Sequence, residues 1–124
     1  MTAELERRSF ATAGELWRWL DQHHQTHPGL WVVLAKSGVD RPSITFADLL
    51  EAGIAYGWSE STRRAGDYDT YLQKFTPRRT RGTTSARNEA IADRLEAQGR
   101  MSPAGRAALG RRPGGKTGGT RRVE

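Results

Sequence analysis

Residues 58–77 read WSESTRRAGDYDTYLQKFTP, and this stretch decides the fold. Trp58 to Arg64 predicts a rising strand, Gly66-Asp67 a turn, and Asp69 to Phe75 a returning strand. Tyr71 and Phe75 face one way and Leu72 the other, so the hairpin is half polar. Pro77 has no amide to give to a ladder and stops the strand. Upstream, Leu30-Trp31-Val32-Val33-Leu34-Ala35 is a continuous apolar run rich in β-branched residues. It predicts a strand over 30–36 buried on both faces.

Helix signals surround these strands. Thr12-Ala13-Gly14-Glu15 reads as a capping box opening a helix to about His24. Ala13, Leu16, Trp17, Leu20 and His24 form its apolar face, with Trp19 at the edge and partly exposed, and Pro28-Gly29 ends the unit. A second helix starts at Thr45 with Asp48 three residues on, and Ile44 and Leu49 are placed as a hydrophobic staple. Phe46, Leu49, Leu50, Gly53, Ile54 and Gly57 share its buried face, and Gly57 is a natural cap. A third helix runs from Ser85 to Gln98, and Ser102-Pro103 opens a short one to about Leu109. The sequence thus predicts one α+β domain over residues 10–109. In it a small antiparallel sheet, from strand 30–36 and hairpin 58–75, packs with three main helices. Residues 1–9 are expected to be flexible and residues 110–124, rich in Gly and Arg, to be a disordered basic tail.

Composition narrows the functions. The chain has 124 residues and no Cys, which excludes disulfides, thiol catalysis and Cys-ligated metals. No apolar run approaches the ~20 residues of a spanning helix, and the N-terminus has no hydrophobic signal core. The expectation is a cytoplasmic protein without membrane insertion. Residues 1–75 carry eight basic and ten acidic side chains; residues 76–124 carry twelve basic and four acidic. A cationic second half points to an anionic ligand, protein or nucleic-acid partner.

Several stretches together resemble the YdeI/OmpD-associated, or bacteriocin-protection, family of bacterial proteins. They are Trp19-Leu20, Gly29-Leu30-Trp31-Val32, Tyr56-Gly57-Trp58, the block from Tyr71 to Arg79, Ser85-x-x-Asn88, and Gly99-Arg100-Met101-x-Pro103-Ala104-Gly105. The chain departs from the family pattern at two places. Gly57-Trp58-Ser59-Glu60 stands where the family has Gly-Trp-Ile-Asp, and Gly82-Thr83-Thr84-Ser85 where it has Ser-x-Trp-Ser. Relatives continue into a further helical segment, which the Gly/Arg tail replaces here, as a shortened or frame-shifted gene would leave it. The resemblance implies a role in protection against bacteriocins and antimicrobial peptides or in envelope stress, and it implies no reaction.

The most informative segment for chemistry runs from Thr76 to Asn88. A strand ends, Arg78, Arg79 and Arg81 follow, and a helix starts at Ser85. Guanidinium forks beside exposed helix-start amides suit an anion. Trp58 and Glu60 are expected to share a hairpin face nearby, so the candidate anion site comprises Trp58, Glu60, Thr76, Arg78, Arg79, Ser85 and Asn88. The plainer reading is that Ser85 caps, Asn88 serves backbone groups and the arginines are solvated. Arg111, Arg112, Lys116, Arg121 and Arg122 are the alternative contacts, for nucleic acid. An enzyme built on Glu60 and Arg78 is the last alternative; no Walker loop, dinucleotide fingerprint or nucleophile elbow is present. His23, His24 and His27 sit close in sequence, but the helix is ending there and no nearby Cys completes a site, so neither metal nor cofactor is expected.

Overall fold

A computed structural model describes residues 4–78 and 85–111. The element order is β1 (Glu6–Ser9), α1 (Ala13–His23), β2 (Leu30–Ala35), α2 (Phe46–Tyr56), β3 (Trp58–Ala65), β4 (Thr70–Pro77), α3 (Ala86–Ala97) and α4 (Pro103–Ala108). The fold is α+β, as expected. Arg79 and the tail residues Arg112, Lys116, Arg121 and Arg122 lie outside the described residues, as does the expectation of a disordered segment beyond Arg111.

The four strands form one sheet in the order β1-β2-β4-β3. Strands β3 and β4 are the expected hairpin, and β2 pairs antiparallel with β4, Leu30 opposite Phe75 and Leu34 opposite Tyr71. The sheet is nevertheless mixed, because β1 adds a parallel edge strand, with Glu6 opposite Leu30 and Ser9 opposite Val33. Residues 6–9 are therefore ordered rather than flexible. All four are exposed and polar, so no hydrophobic alternation marks them; backbone pairing that covers the edge of β2 holds them.

The caps act as their sequences imply. Thr12 Oγ1 accepts from the Glu15 amide at 3.2 Å, while the Glu15 carboxylate reaches one residue further back, to the Ala11 amide at 3.0 Å. Thr45 and Asp48 close a full capping box on α2 (3.1 and 2.9 Å). Gly57 ends α2 in the left-handed region, φ 78°, which costs glycine nothing.

Two packed layers follow. In the first, Leu16, Trp19 and Leu20 of α1 and Leu49 and Ala52 of α2 cover Leu30, Val32, Leu34, Trp58 and Phe75 of the sheet. In the second, Leu50, Ile54 and Ala55 on another side of α2 meet Ala92, Leu95, Met101 and Leu109. Helices α3 and α4 therefore pack on α2 rather than on the sheet. Two glycines permit the close approaches. A Cβ at Gly53 would sit 2.8 Å from the Trp58 carbonyl, and one at Gly105 would run into the Ala55 carbonyl.

Trp19 is buried, packed edge-on against Phe10 and Trp58 (centroids 6.3 and 5.8 Å). It is Trp17 that stays half-exposed, between Tyr56 and the Arg100 guanidinium, which lies 4.2 Å from its ring centroid. This reverses the expected exposure. Leu16, Trp19, Leu20 and His23 form the true i, i+3, i+4, i+7 stripe.

Candidate functional site

The β4 end of the expected site is well anchored. Trp58 pairs with Pro77 across the hairpin, and the Arg78 amide donates to the Gly57 carbonyl at 2.8 Å. Arg78 is thereby fixed at the junction of α2 and β3. On the far side of the connection, Ser85 Oγ accepts from the Asn88 amide at 3.1 Å and caps α3, and Asn88 Oδ1 accepts from Arg87 Nε at 3.2 Å.

The hairpin separates the other expected members. Trp58 is 2% exposed, tilted against Phe75 with centroids 5.1 Å apart, and its indole N–H donates to the His24 carbonyl at 3.2 Å. It is a core residue tying β3 to the end of α1, and its ring offers no surface to a ligand. Glu60 lies opposite Phe75, half-buried, and its carboxylate makes no hydrogen bond or ion pair among the described residues. Thr76 follows Phe75, so alternation turns it to the face opposite Trp58 and Glu60. No hydrogen bond among the described residues joins Trp58 or Glu60 to Ser85 or Asn88. Arg78 stands at the end of β4 and Ser85 and Asn88 at the start of α3, with residues outside the described ones between them, and Trp58 is in the core.

Arg111, expected in a loose tail, is part of the domain. It donates to Glu89 at 2.6 Å and Asp93 at 2.8 Å, and lies 3.7 Å from Glu96. Glu96 also takes Arg106 at 3.1 Å. Despite its burial, the carboxylates of Glu89 and Asp93 hold the Arg111 guanidinium in its charged form more firmly than usual. The acids of α3 are thus paired by Arg106 of α4 and by Arg111 just beyond it, and Glu89, the acid of the first turn of α3, is among them.

A second group of cations, unmarked in the sequence, gathers across the molecule. Lys36, Val39, Arg41, Phe46, Arg63 and Tyr71 line a groove of about 650 Å³ between the loop after β2, the start of α2 and the hairpin. Lys36, Arg41 and Arg63 are brought together by the pairing of β2 with β4 and β4 with β3. Their sequence spacing shows no motif, and only the register could have revealed them.

The histidines are engaged locally. His24 Nδ1 donates to the Leu20 carbonyl at 2.7 Å. His27 Nδ1 accepts from the Gly29 amide at 3.1 Å, which places its proton on Nε2, facing Glu6 at 3.3 Å. Among the described residues no group of three or more His, Asp or Glu could hold a metal ion. Tyr56 donates to Asp21 at 3.1 Å; burial, and then this carboxylate, push its hydroxyl up to about 12.

A mixed four-stranded sheet under two helices, with a second helical layer on α2 and a cation-lined groove at its surface, defines a small α+β domain. The model of the family described as Domain of unknown function (DUF8412) matches residues 8–108, and the chain belongs to that family. No curated protein and no solved structure gives a match. No helix among the described residues is long and apolar enough to cross a membrane.

Proposed function

We propose that the chain is a non-enzymatic, cytoplasmic binding protein of the YdeI/OmpD-associated kind. It acts in protection against bacteriocins or antimicrobial peptides, or in envelope stress, by taking an anionic ligand or partner at the Thr76–Asn88 corner. The observation that carries this reading is the engagement of Glu89 by Arg111 at 2.6 Å. Glu89 is the acid that would oppose an anion at the start of α3. Arg111, just beyond α4, divides its charge between Glu89 and Asp93 and so offsets the Glu89 charge in part, while Arg87, in the same first turn of α3, adds a cation. The Ala86 and Arg87 amides, which a helix does not use internally, point outward from the same turn. Calorimetric titration with inorganic pyrophosphate tests it. Arg78→Ala should weaken binding by ~1.5–3 kcal/mol, the scale of a charge-assisted hydrogen bond. Equal binding by a folded Arg78→Ala protein would refute the site.

A second reading, nucleic-acid binding, is favoured by one feature of the sheet. Trp31 faces away from α1 and α2, with the Arg64 guanidinium 4.1 Å from its ring centroid and Lys74 Nζ at 6.0 Å. Arg7, opposite Trp31 on β1, joins the same face. Steep salt dependence of binding, with ~0.9 in log–log slope per neutralised duplex phosphate, would select this reading over a small anion.

A further inference from the structure

We infer that the groove lined by Lys36, Arg41 and Arg63 binds a small organic phosphate with a flat apolar body. The site is separate from the Thr76–Asn88 corner and does not depend on it.

The inference starts from a cation that is held but not neutralised. The Arg63 guanidinium lies 4.3 Å from the Tyr71 ring centroid and 5.9 Å from that of Phe46. Two aromatic rings lie beside it, and no carboxylate among the described residues pairs with it. Contact with aromatic rings leaves the guanidinium its N–H donors, the groups that take an oxyanion in two parallel hydrogen bonds. Lys36 Nζ donates to the Tyr68 carbonyl at 3.1 Å, which uses one of its three donors and leaves its charge unanswered. Arg41 pairs with Asp69 at 3.0 Å. No acid lines the groove, and Asp69 reaches it only through Arg41. Asp48, on the first turn of α2, is turned onto the Thr45 amide.

Charge counting then selects the ligand. Three cations against Asp69 leave two positive charges uncompensated. A carboxylate would answer one of them, whereas a phosphate monoester carries ~1.5–2 negative charges near neutral pH. The remaining wall is apolar: Val39, Ile44 and Phe46 offer hydrocarbon next to the charges. A volume of about 650 Å³ lies within the ~300–1,000 Å³ of small-molecule sites. The one face of Tyr71 that Arg63 covers is unavailable, so the flat body rests against Phe46 and Val39.

Calorimetry with naphthyl phosphate, inorganic phosphate and naphthol on the full chain tests this. Naphthyl phosphate should bind saturably, one to one, and ~10-fold or more tighter than either fragment, since charge and apolar contacts each contribute a kcal-scale increment. Arg63→Met, which keeps the apolar stem, should lose ~10-fold, the scale of one charge-assisted hydrogen bond. Lys36→Met, on an exposed loop residue, gives an independent loss in the same direction. Arg18→Ala, at an exposed cation on α1 outside both sites, should leave the affinity unchanged. Unchanged binding by folded Arg63→Met and Lys36→Met proteins overturns the proposal. So does inorganic phosphate binding as tightly as the aryl ester, or an equal loss of binding in Arg18→Ala.

Discussion

Arg111 donates to the Glu89 carboxylate at 2.6 Å, and this contact ties the chain just beyond α4 to the first turn of α3. The contact draws Arg111 into the helical layer formed by α3 and α4. Gly110 and Arg111 also bond back to the Ala107 and Arg106 carbonyls (3.1 and 2.7 Å). A protein ending at Arg111 should melt like the full chain, because residues 112–124 contain almost nothing apolar to bury. One ending at Leu109 should lose about 1 kcal/mol, a discounted value for a partly exposed ion-pair network. Thermal unfolding of the two truncated proteins checks this; equal melting temperatures would assign Arg111 no role in stability.

Gly53→Ala offers a choice between two opposed effects. Helix propensity alone gives the alanine up to ~1 kcal/mol of added stability. The added Cβ, however, would meet the Trp58 carbonyl at 2.8 Å and Phe75 Cε1 at 2.9 Å. Both belong to the packed first layer and cannot withdraw without moving β3 or a buried ring. Overpacking of ~1–3 kcal/mol therefore prevails, and the variant should be less stable in urea. A gain in stability would mean that α2 stands further from the sheet than described.

Most of this architecture was legible because it rests on short-range chemistry. Thr45 with Asp48, Gly57, the Gly66-Asp67 turn and Ser102-Pro103 each fix a boundary through local hydrogen bonds or φ preferences, and each sits where its sequence implies. What was not legible is held by long-range pairing. Strand β1 has no apolar pattern and exists through the backbone of β2. Trp17 and Trp19 exchange roles because Phe10, His27 and Trp58 close over Trp19, which a single-helix pattern does not reveal. Arg111 lies in a stretch whose composition resembles a tail, and only the acidic face of α3 claims it. Of the corner, Arg78, Ser85 and Asn88 could be read from the strand-stop and cap signals. Trp58 could not be excluded from it until the His24 carbonyl was seen to take its N–H.

Tyr56 predicts a signature at high pH. Its folded-state pKa, about 12, lies above the ordinary 10.0, so the folded protein holds the phenolic proton more tightly than the unfolded chain. That stabilisation is complete below pH 10 and is lost as the pH rises through about 12. Wild-type stability should therefore fall relative to Tyr56→Phe across this window and keep a constant difference below it. Urea titrations of both proteins at several pH values check the slope. Parallel curves throughout would show that the Asp21 contact and burial leave the hydroxyl unperturbed.

The tie between α3 and the anion reading can be separated from stability. Glu89→Gln keeps a hydrogen-bond acceptor for Arg111 but removes the charge at the first turn of α3. Anion affinity at the corner should rise modestly, by a few tenths of a kcal/mol to ~1, the range of a charge near a helix terminus. Titration with pyrophosphate at low ionic strength measures it, and a fall in affinity would contradict the electrostatic argument.

The most direct test of the central claim is a backbone amide NMR titration of the full chain with inorganic pyrophosphate. The account predicts saturable shifts concentrated at Arg78, Ala86 and Arg87, sharing one dissociation constant and suppressed in Arg78→Ala. Shifts confined to other surfaces, or no saturable change at the start of α3, would contradict it.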